Sequence, residues 1–180
     1  AHPSRLKELV NEERERITKS EREITSIERQ LALRMNSATP KSVLQSFEGH
    51  RGVKTLVDGV LEELHKGDHV YVLGSPKEWG EKFGGYMIDW EKRRLKTRAK
   101  CWILTDADAP SWNFDWWLKS KKEGLTVTKR STFKSPAYLI ITKQSVVTIY
   151  AGDPVLALLV EHEGIATRYC EFFLELWKRA

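Results

Sequence analysis

The sequence has few of the features that announce a reaction. It holds two cysteines, Cys101 and Cys170, too few for a disulfide framework and in no C-x-x-C pair or Cys/His cluster. A reduced, cytoplasmic protein is the default expectation. No run of eighteen apolar residues occurs, so no membrane-spanning helix is expected, and the N-terminus lacks the basic-then-apolar pattern of a secretory signal. Phosphate-cradling G-x-x-x-x-G-K-S/T, dinucleotide G-x-G-x-x-G and nucleophile-elbow G-x-S-x-G are all missing. The five histidines, His2, His50, His65, His69 and His162, form no metal-ligand spacing. His65 and His69 are four apart, but Gly67 interrupts the helix between them. No nucleophile is assembled with a base, and no metal or cofactor is expected.

What is present is ample for folding. Of 180 residues, 41% are hydrophobic and 31% charged, with seven tryptophans; such a chain can bury a core and is not disordered. The length fits one domain with an appendage. The net charge is +5, and residues 91–134 alone carry 12 basic against 5 acidic side chains. A basic stretch of this kind serves either as a solvated surface or as an anion-binding patch.

Residues 4–35 contain neither glycine nor proline. Ser4 can cap a helix, and Val10, Ile17, Ile24 and Leu31 recur every seven residues, with Leu6 and Ile27 in the complementary column. The heptad predicts a narrow seam suited to a coiled-coil homodimer, leaning towards two parallel strands; an amphipathic helix packed on its own domain is the alternative. Met35 to Pro40 ends it. Beyond lie a strand at 42–48, a helix at 52–66, a buried strand at 70–73 and a helix at 79–98 with a weak point at Gly84-Gly85. Then come a strand at 101–104, a loop at 107–113, a short aromatic helix at 114–122 and a strand at 125–130. A hairpin follows around Lys143-Gln144, then a strand or short helix at 155–161. The last element is a helix from 163 to 178, with Tyr169, Phe172, Phe173, Leu176 and Trp177 packing inward. The order implies an α/β unit over 37–180, a mixed sheet flanked by helices, behind a dimerisation helix over 1–36.

Open α/β sheets bind ligands beyond the carboxyl ends of their strands. That rule singles out Ser75, Lys77 and Trp79 after the first buried strand, Asp106 and Trp112 after the second, and Arg130 after the third. Asp106 and Asp108 read more simply as loop caps. The aromatic run Trp112, Phe114, Trp116 and Trp117 suits either a stacked ligand or core packing with a dimer contact.

Five segments in this order carry a resemblance: Phe47–Lys54 (FEGHRGVK), Val70–Ser75 (VYVLGS), Trp90–Arg94 (WEKRR), Ser135–Ile141 (SPAYLII) and Tyr169–Trp177 (YCEFFLELW). Together the chain resembles the archaeal TrmB-like transcriptional regulators in their coiled-coil and phospholipase D-like portion. The resemblance implies a homodimer joined by the first helix and a phospholipase D-like effector domain. It also implies a DNA-contacting winged helix ahead of Ala1, in keeping with the missing initiator methionine. Sugar-sensing members carry a further C-terminal domain that is not expected here, and no sugar-binding residue carries over. Active phospholipase D-like enzymes use His-x-Lys followed by Asp; laid on this sequence those positions hold Pro136, Tyr138 and Lys143. Without an imidazole no phosphohistidine forms. The expectation is therefore a non-catalytic dimerisation and effector-sensing region of a DNA-binding transcriptional regulator, with a small molecule held near Ser75, Trp112 and Tyr138. The alternative is a module that binds nucleic acid directly through Lys92, Arg93, Arg94, Lys96 and Arg98; a phosphodiesterase with an unrecognised site is a third reading.

Overall fold

The computed structural model describes residues 42–75, 77–107, 109 and 114–180, together with Val10, Arg14, Arg16 and Ile17. The chain divides into two compact units, Ala1–Lys41 and Ser42–Ala180. In the first, the four described residues are helical, and Val10 and Ile17 are exposed. The other seam positions, Leu6, Ile24, Ile27 and Leu31, lie outside the described residues, as do Asp108 and Trp112.

The second unit contains seven strands and four helices among its described residues: β1 (Val43–Glu48), α1 (Gly49–Glu62), β2 (His69–Leu73), α2 (Lys77–Thr97), β3 (Lys100–Thr105), α3 (Asp115–Lys122), β4 (Thr126–Arg130), β5 (Tyr138–Ile141), β6 (Ser145–Tyr150), β7 (Leu156–Glu161) and α4 (Glu163–Arg179). All strands join one sheet in the order β1-β7-β6-β5-β2-β3-β4. β2, β3 and β4 run parallel, whereas β2–β5, β5–β6, β6–β7 and β1–β7 pair antiparallel. The mixed sheet matches the expectation from the element order. Residues 155–161, left between strand and helix by the sequence, contain β7, because Ala157 and Leu159 alternate into a buried layer while Leu156 and Leu158 point away.

Each face has its own core. On one, Val53, Leu56, Val57, Val60 and Leu61 recur at helical spacing along α1. They meet Trp79, Phe83, Met87 and Trp90 of α2 over Val70, Val72, Cys101, Ile140, Val147 and Ile149. On the other, α4 alone among the described residues covers Leu73, Leu104, Ile141 and Val146 with Ala166 and Phe173. Trp177 packs there, 5.1 Å from the Trp102 ring, but Tyr169 and Phe172 are exposed, contrary to the inward packing expected of them. A single helix crossing a sheet buries only the stripe that touches it; the aromatic flank beside that stripe stays outside.

The parallel half is fastened by one side chain. Arg94, at the end of α2, is fully buried. Its Nε and Nη2 donate to Glu91 Oε2 at 2.9 and 2.7 Å, Nη1 to the Ala99 and Leu125 carbonyls at 2.6 and 3.2 Å, and Nη2 to Thr126 Oγ1 at 2.7 Å. All five guanidinium hydrogens are thereby used. Trp90 Nε1 adds a bond to the Val57 carbonyl at 2.9 Å, tying α2 to α1.

Candidate functional site

The carboxyl ends of β2, β3 and β4 and the start of β5 lie at the same end of the sheet, because β5 runs antiparallel to β2. There α2 and α3 stand apart over β3 and β4. Between them opens a cleft of about 1110 Å³, slightly above the range of about 300–1,000 Å³ for small-molecule sites. Its apolar walls include Ile88, Ile103, Phe114, Trp117 and Leu118, and its floor includes Glu91 and Tyr138. Lys77, Lys121 and Arg130 stand at its rim.

Local structure explains each position. Trp117 is buried because α3 turns it inward while Ser120, also buried, donates to the Trp117 carbonyl at 2.7 Å, with the Thr126 hydroxyl 3.1 Å from its Oγ. Adjacent residues on a helix diverge by about 100°, so Trp116 points elsewhere and stacks on Phe114 at 5.6 Å. Tyr138 begins β5 and stacks on Trp79 at 4.6 Å; Trp79 in turn stacks on Phe83 at 4.3 Å. Arg130 Nη1 donates to the carbonyls of Ala107 and Ala109, each at 2.8 Å, holding the loop after β3.

The α2 wall has an unexpected shape. Gly80 and Gly84, one turn apart, both line the cleft. A β-carbon added at either would meet nothing within 4 Å. Glycine in a helix interior costs about 1 kcal/mol relative to alanine, and neither position is crowded enough to demand it. The space that their missing side chains leave belongs to the cleft.

Of the seven residues expected to hold a ligand, Ser75, Lys77, Trp79, Arg130 and Tyr138 line this cleft. Asp106 does not. It is buried, and its Oδ1 accepts the Ser135 amide at 3.0 Å, so it caps the entry to β5 rather than facing a ligand. Trp112 lies outside the described residues. The sequence reading missed Gly80, Gly84, Glu91 and Lys121. A glycine pair at spacing four inside an amphipathic helix was the available signal for the first two.

The basic segment does not act as one surface. Arg94 is withdrawn into the core, which removes it from the nucleic-acid contacts expected of it. Arg93 is committed to Asp58 through an ion pair at 2.5 Å. Lys92, Lys96 and Arg98 are exposed, and Lys92 lies 5.7 Å from the Trp116 ring.

The positions of the phospholipase D motif are separated by the length of β5. Tyr138 lies at the cleft, whereas Lys143 sits at the hairpin tip, at the far end of the strand. No histidine among the described residues lines the cleft. His162 instead caps α4, its Nδ1 accepting the Ile165 amide at 3.2 Å, and His50 stacks on Phe83. His65 Nδ1 lies 2.8 Å from the Glu63 carbonyl. No group of three or more metal-ligating side chains occurs among the described residues, and no described helix is long and apolar enough to cross a membrane.

Burial pushes the Tyr138 phenol well above its usual range, and the Glu91 carboxylate and Cys101 add to it. Cys101 is raised for the same first reason, with Glu91 second. An acid that keeps its proton more tightly when folded than when unfolded makes stability fall as pH rises through its unfolded pKa. These contributions are complete below about pH 8.5 and decline through about pH 10. Tyr138→Phe is expected to flatten this alkaline decline, as read by urea unfolding between about pH 8 and 10.5; equal slopes in both proteins would contradict a buried, neutral phenol.

No protein-family model matches the chain, and no curated protein does. Solved structures do. TrmBL2, described as an archaeal chromatin protein with a novel mode of DNA binding, superposes with a TM-score of 0.60 at 14% identity, covering 100% of this chain and 70% of that one. NucT from Helicobacter pylori gives 0.56 at 9% identity over 77% of this chain and 97% of its own. The phospholipase D family member Nuc from Salmonella typhimurium gives 0.46 at 12% identity, over 77% and 95%. At these identities the likeness to TrmBL2 and NucT is one of fold alone.

Proposed function

We propose that the α/β unit is a non-catalytic effector-sensing domain of a DNA-binding regulator, and that its effector is a small anion with a flat or apolar body held between α2 and α3. The observation that carries this reading is the glycine pair at 80 and 84, which keeps a helix wall open at a cost in helix stability where packing asks for nothing. The rim cations Lys77, Lys121 and Arg130 suit a negative group, and Trp117 and Phe114 suit a ring. In the overlay of the enzymes' motif on this sequence, Pro136 and Tyr138 take the histidine and lysine positions, which supports binding without phosphoryl transfer. A change at the cleft would reach DNA through a homodimer, provided the effector binds two arrangements unequally.

Gly84→Leu tests the reading without threatening the fold, since the new side chain enters open space and gains helix propensity. With the anionic dye 8-anilinonaphthalene-1-sulfonate and a panel of sugar phosphates and nucleotides as probes, the unaltered protein is expected to bind at least one. Gly84→Leu is expected to weaken that binding at least ~10-fold, with an unfolding midpoint no lower than the parent's. Binding that survives Gly84→Leu, or no binding by the parent, would remove the cleft from consideration. Turnover of bis(p-nitrophenyl) phosphate that is lost on Tyr138→Phe would overturn the non-catalytic part.

One observation favours a second reading, direct nucleic-acid binding: Lys119, Lys121 and Lys122 crowd the last turn of α3 near Lys92 and its Trp116 contact. It requires this chain to bind duplex DNA with a steep loss on added salt, whereas the effector reading requires little binding by residues 42–180.

A further inference from the structure

Among the described residues, the face of the sheet that α4 crosses is covered on one side only. Register and two-residue alternation place Leu44 of β1, Leu156 and Leu158 of β7 and Tyr150 of β6 on that face, with Val146, which α4 buries. Leu158 lies between Ser46 and Thr148 on its neighbours, and Leu156 between Glu48 and Tyr150. These strands carry no helix over this stretch among the described residues, and Leu44 is 74% and Tyr150 55% exposed. The flank of α4 continues the surface. Thr167 and Cys170 face the hairpin end of the sheet, where they line a cleft with Thr142 and Lys143. The opposite flank of the helix, Ile165, Tyr169 and Phe172, therefore faces the end where Tyr150 and Leu156 stand. Phe172 is 52% exposed.

The result is a step: a shelf on β7 and its neighbours that is uncovered among the described residues, where Leu44, Leu156, Leu158 and Tyr150 stand among Ser46, Glu48 and Thr148, and an aromatic riser on α4. Its seven large side chains are 38% to 74% exposed, an area on the order of 650 Å², against about 800 Å² per partner in a standard interface and about 300–600 Å² for the largest patch on an ordinary monomer. None of the seven is charged, and three are Tyr or Phe, the composition of an interface centre. A step is also self-complementary: a two-fold axis lays the riser of each copy on the shelf of the other. We propose that this step is a second homodimer interface, in which Tyr169 and Phe172 of one copy pack on Leu44 and Leu158 of its partner. This contact lies on the α/β unit itself, is separate from the expected helix seam, and does not depend on the effector reading.

The test uses the whole chain. A photo-crosslinking p-benzoylphenylalanine at position 158, in mixed ordinary and ¹⁵N-labelled protein, is expected to give light–heavy crosslinks to the Ile165–Phe172 stretch. Leu158→Glu with Phe172→Glu, both at exposed positions, sets like charges across the contact and is expected to weaken self-association through this surface at least ~10-fold, with unchanged circular dichroism. Crosslinks confined to one chain, including any to residues 1–41, would give the surface a different occupant and overturn the proposal. So would an absence of crosslinks, or light–heavy crosslinks from position 158 that Phe172→Glu leaves undiminished.

Discussion

Replacing Arg94 by methionine is expected to cost about 3–5 kcal/mol of folding stability, the usual consequence of stranding one member of a buried ion pair. The loss has two sources. Glu91 keeps a buried carboxylate without its cation, and the Ala99 carbonyl loses the donor that reached it, while the Leu125 carbonyl keeps the Cys101 amide. Each unsatisfied buried group adds roughly 1–3 kcal/mol in isolation, so the pair penalty and the lost bonds overlap rather than sum. Against a typical total of about 5–15 kcal/mol, the variant stands close to unfolding at physiological temperature. Adding Glu91→Leu is expected to recover part of the loss, because the stranded charge goes with it. Urea midpoints of the parent, the two single variants and the double variant measure the coupling. Strictly additive losses would mean that Glu91 and Arg94 act independently, against the geometry described above.

Gly74→Ala is expected to be nearly as costly, at about 2–4 kcal/mol. Gly74 follows β2 with φ of +83°, in the left-handed region, while its amide donates to the Leu104 carbonyl at 2.9 Å. A β-carbon there would lie 2.5 Å from Ser135 Cβ and 2.6 Å from the Ala137 carbonyl oxygen, and the latter is backbone that cannot swing away. Gly67→Ala is the control. Its φ is +95° but its surroundings are open, so it carries only the roughly 1–2 kcal/mol of a left-handed residue with a side chain. The difference between the two variants isolates the close approach of the β2 end to the segment entering β5. Equal losses would show that approach to be unimportant.

How far the chain could be read beforehand varied with the kind of residue. The short apolar runs of β2 and β3 and the hairpin of β5 and β6 were legible because buried strands leave few alternatives for Val, Ile and Leu. The strand-end rule brought Ser75, Lys77, Trp79 and Arg130 onto one list because it depends on topology alone. Arg94 was illegible for a physical reason. Within Lys92-Arg93-Arg94 it has the appearance of solvated charge, and only the helix phase, set by Trp90 on α1, turns it inward. Tyr169 and Phe172 failed in the opposite sense, since an apolar helix stripe states that something is to be covered without stating by what. Asp106 was read two ways, and the loop-capping one describes its contact with Ser135.

The fastening of α2 has a mechanical corollary for the cleft. Through Trp90, Arg93 and Arg94 that helix is bolted to α1 and to the entries of β3 and β4. Its counterpart α3 spans only 8 residues and buries only Trp117 and Ser120. The two jaws are thus of unequal stiffness. Any breathing that admits a guest falls on the compliant jaw, α3 with its lysines, while the glycine-faced jaw acts as the anvil. Occupancy would then be transmitted as displacement of a basic helix on the outside of the sheet, leaving the seven strands at rest.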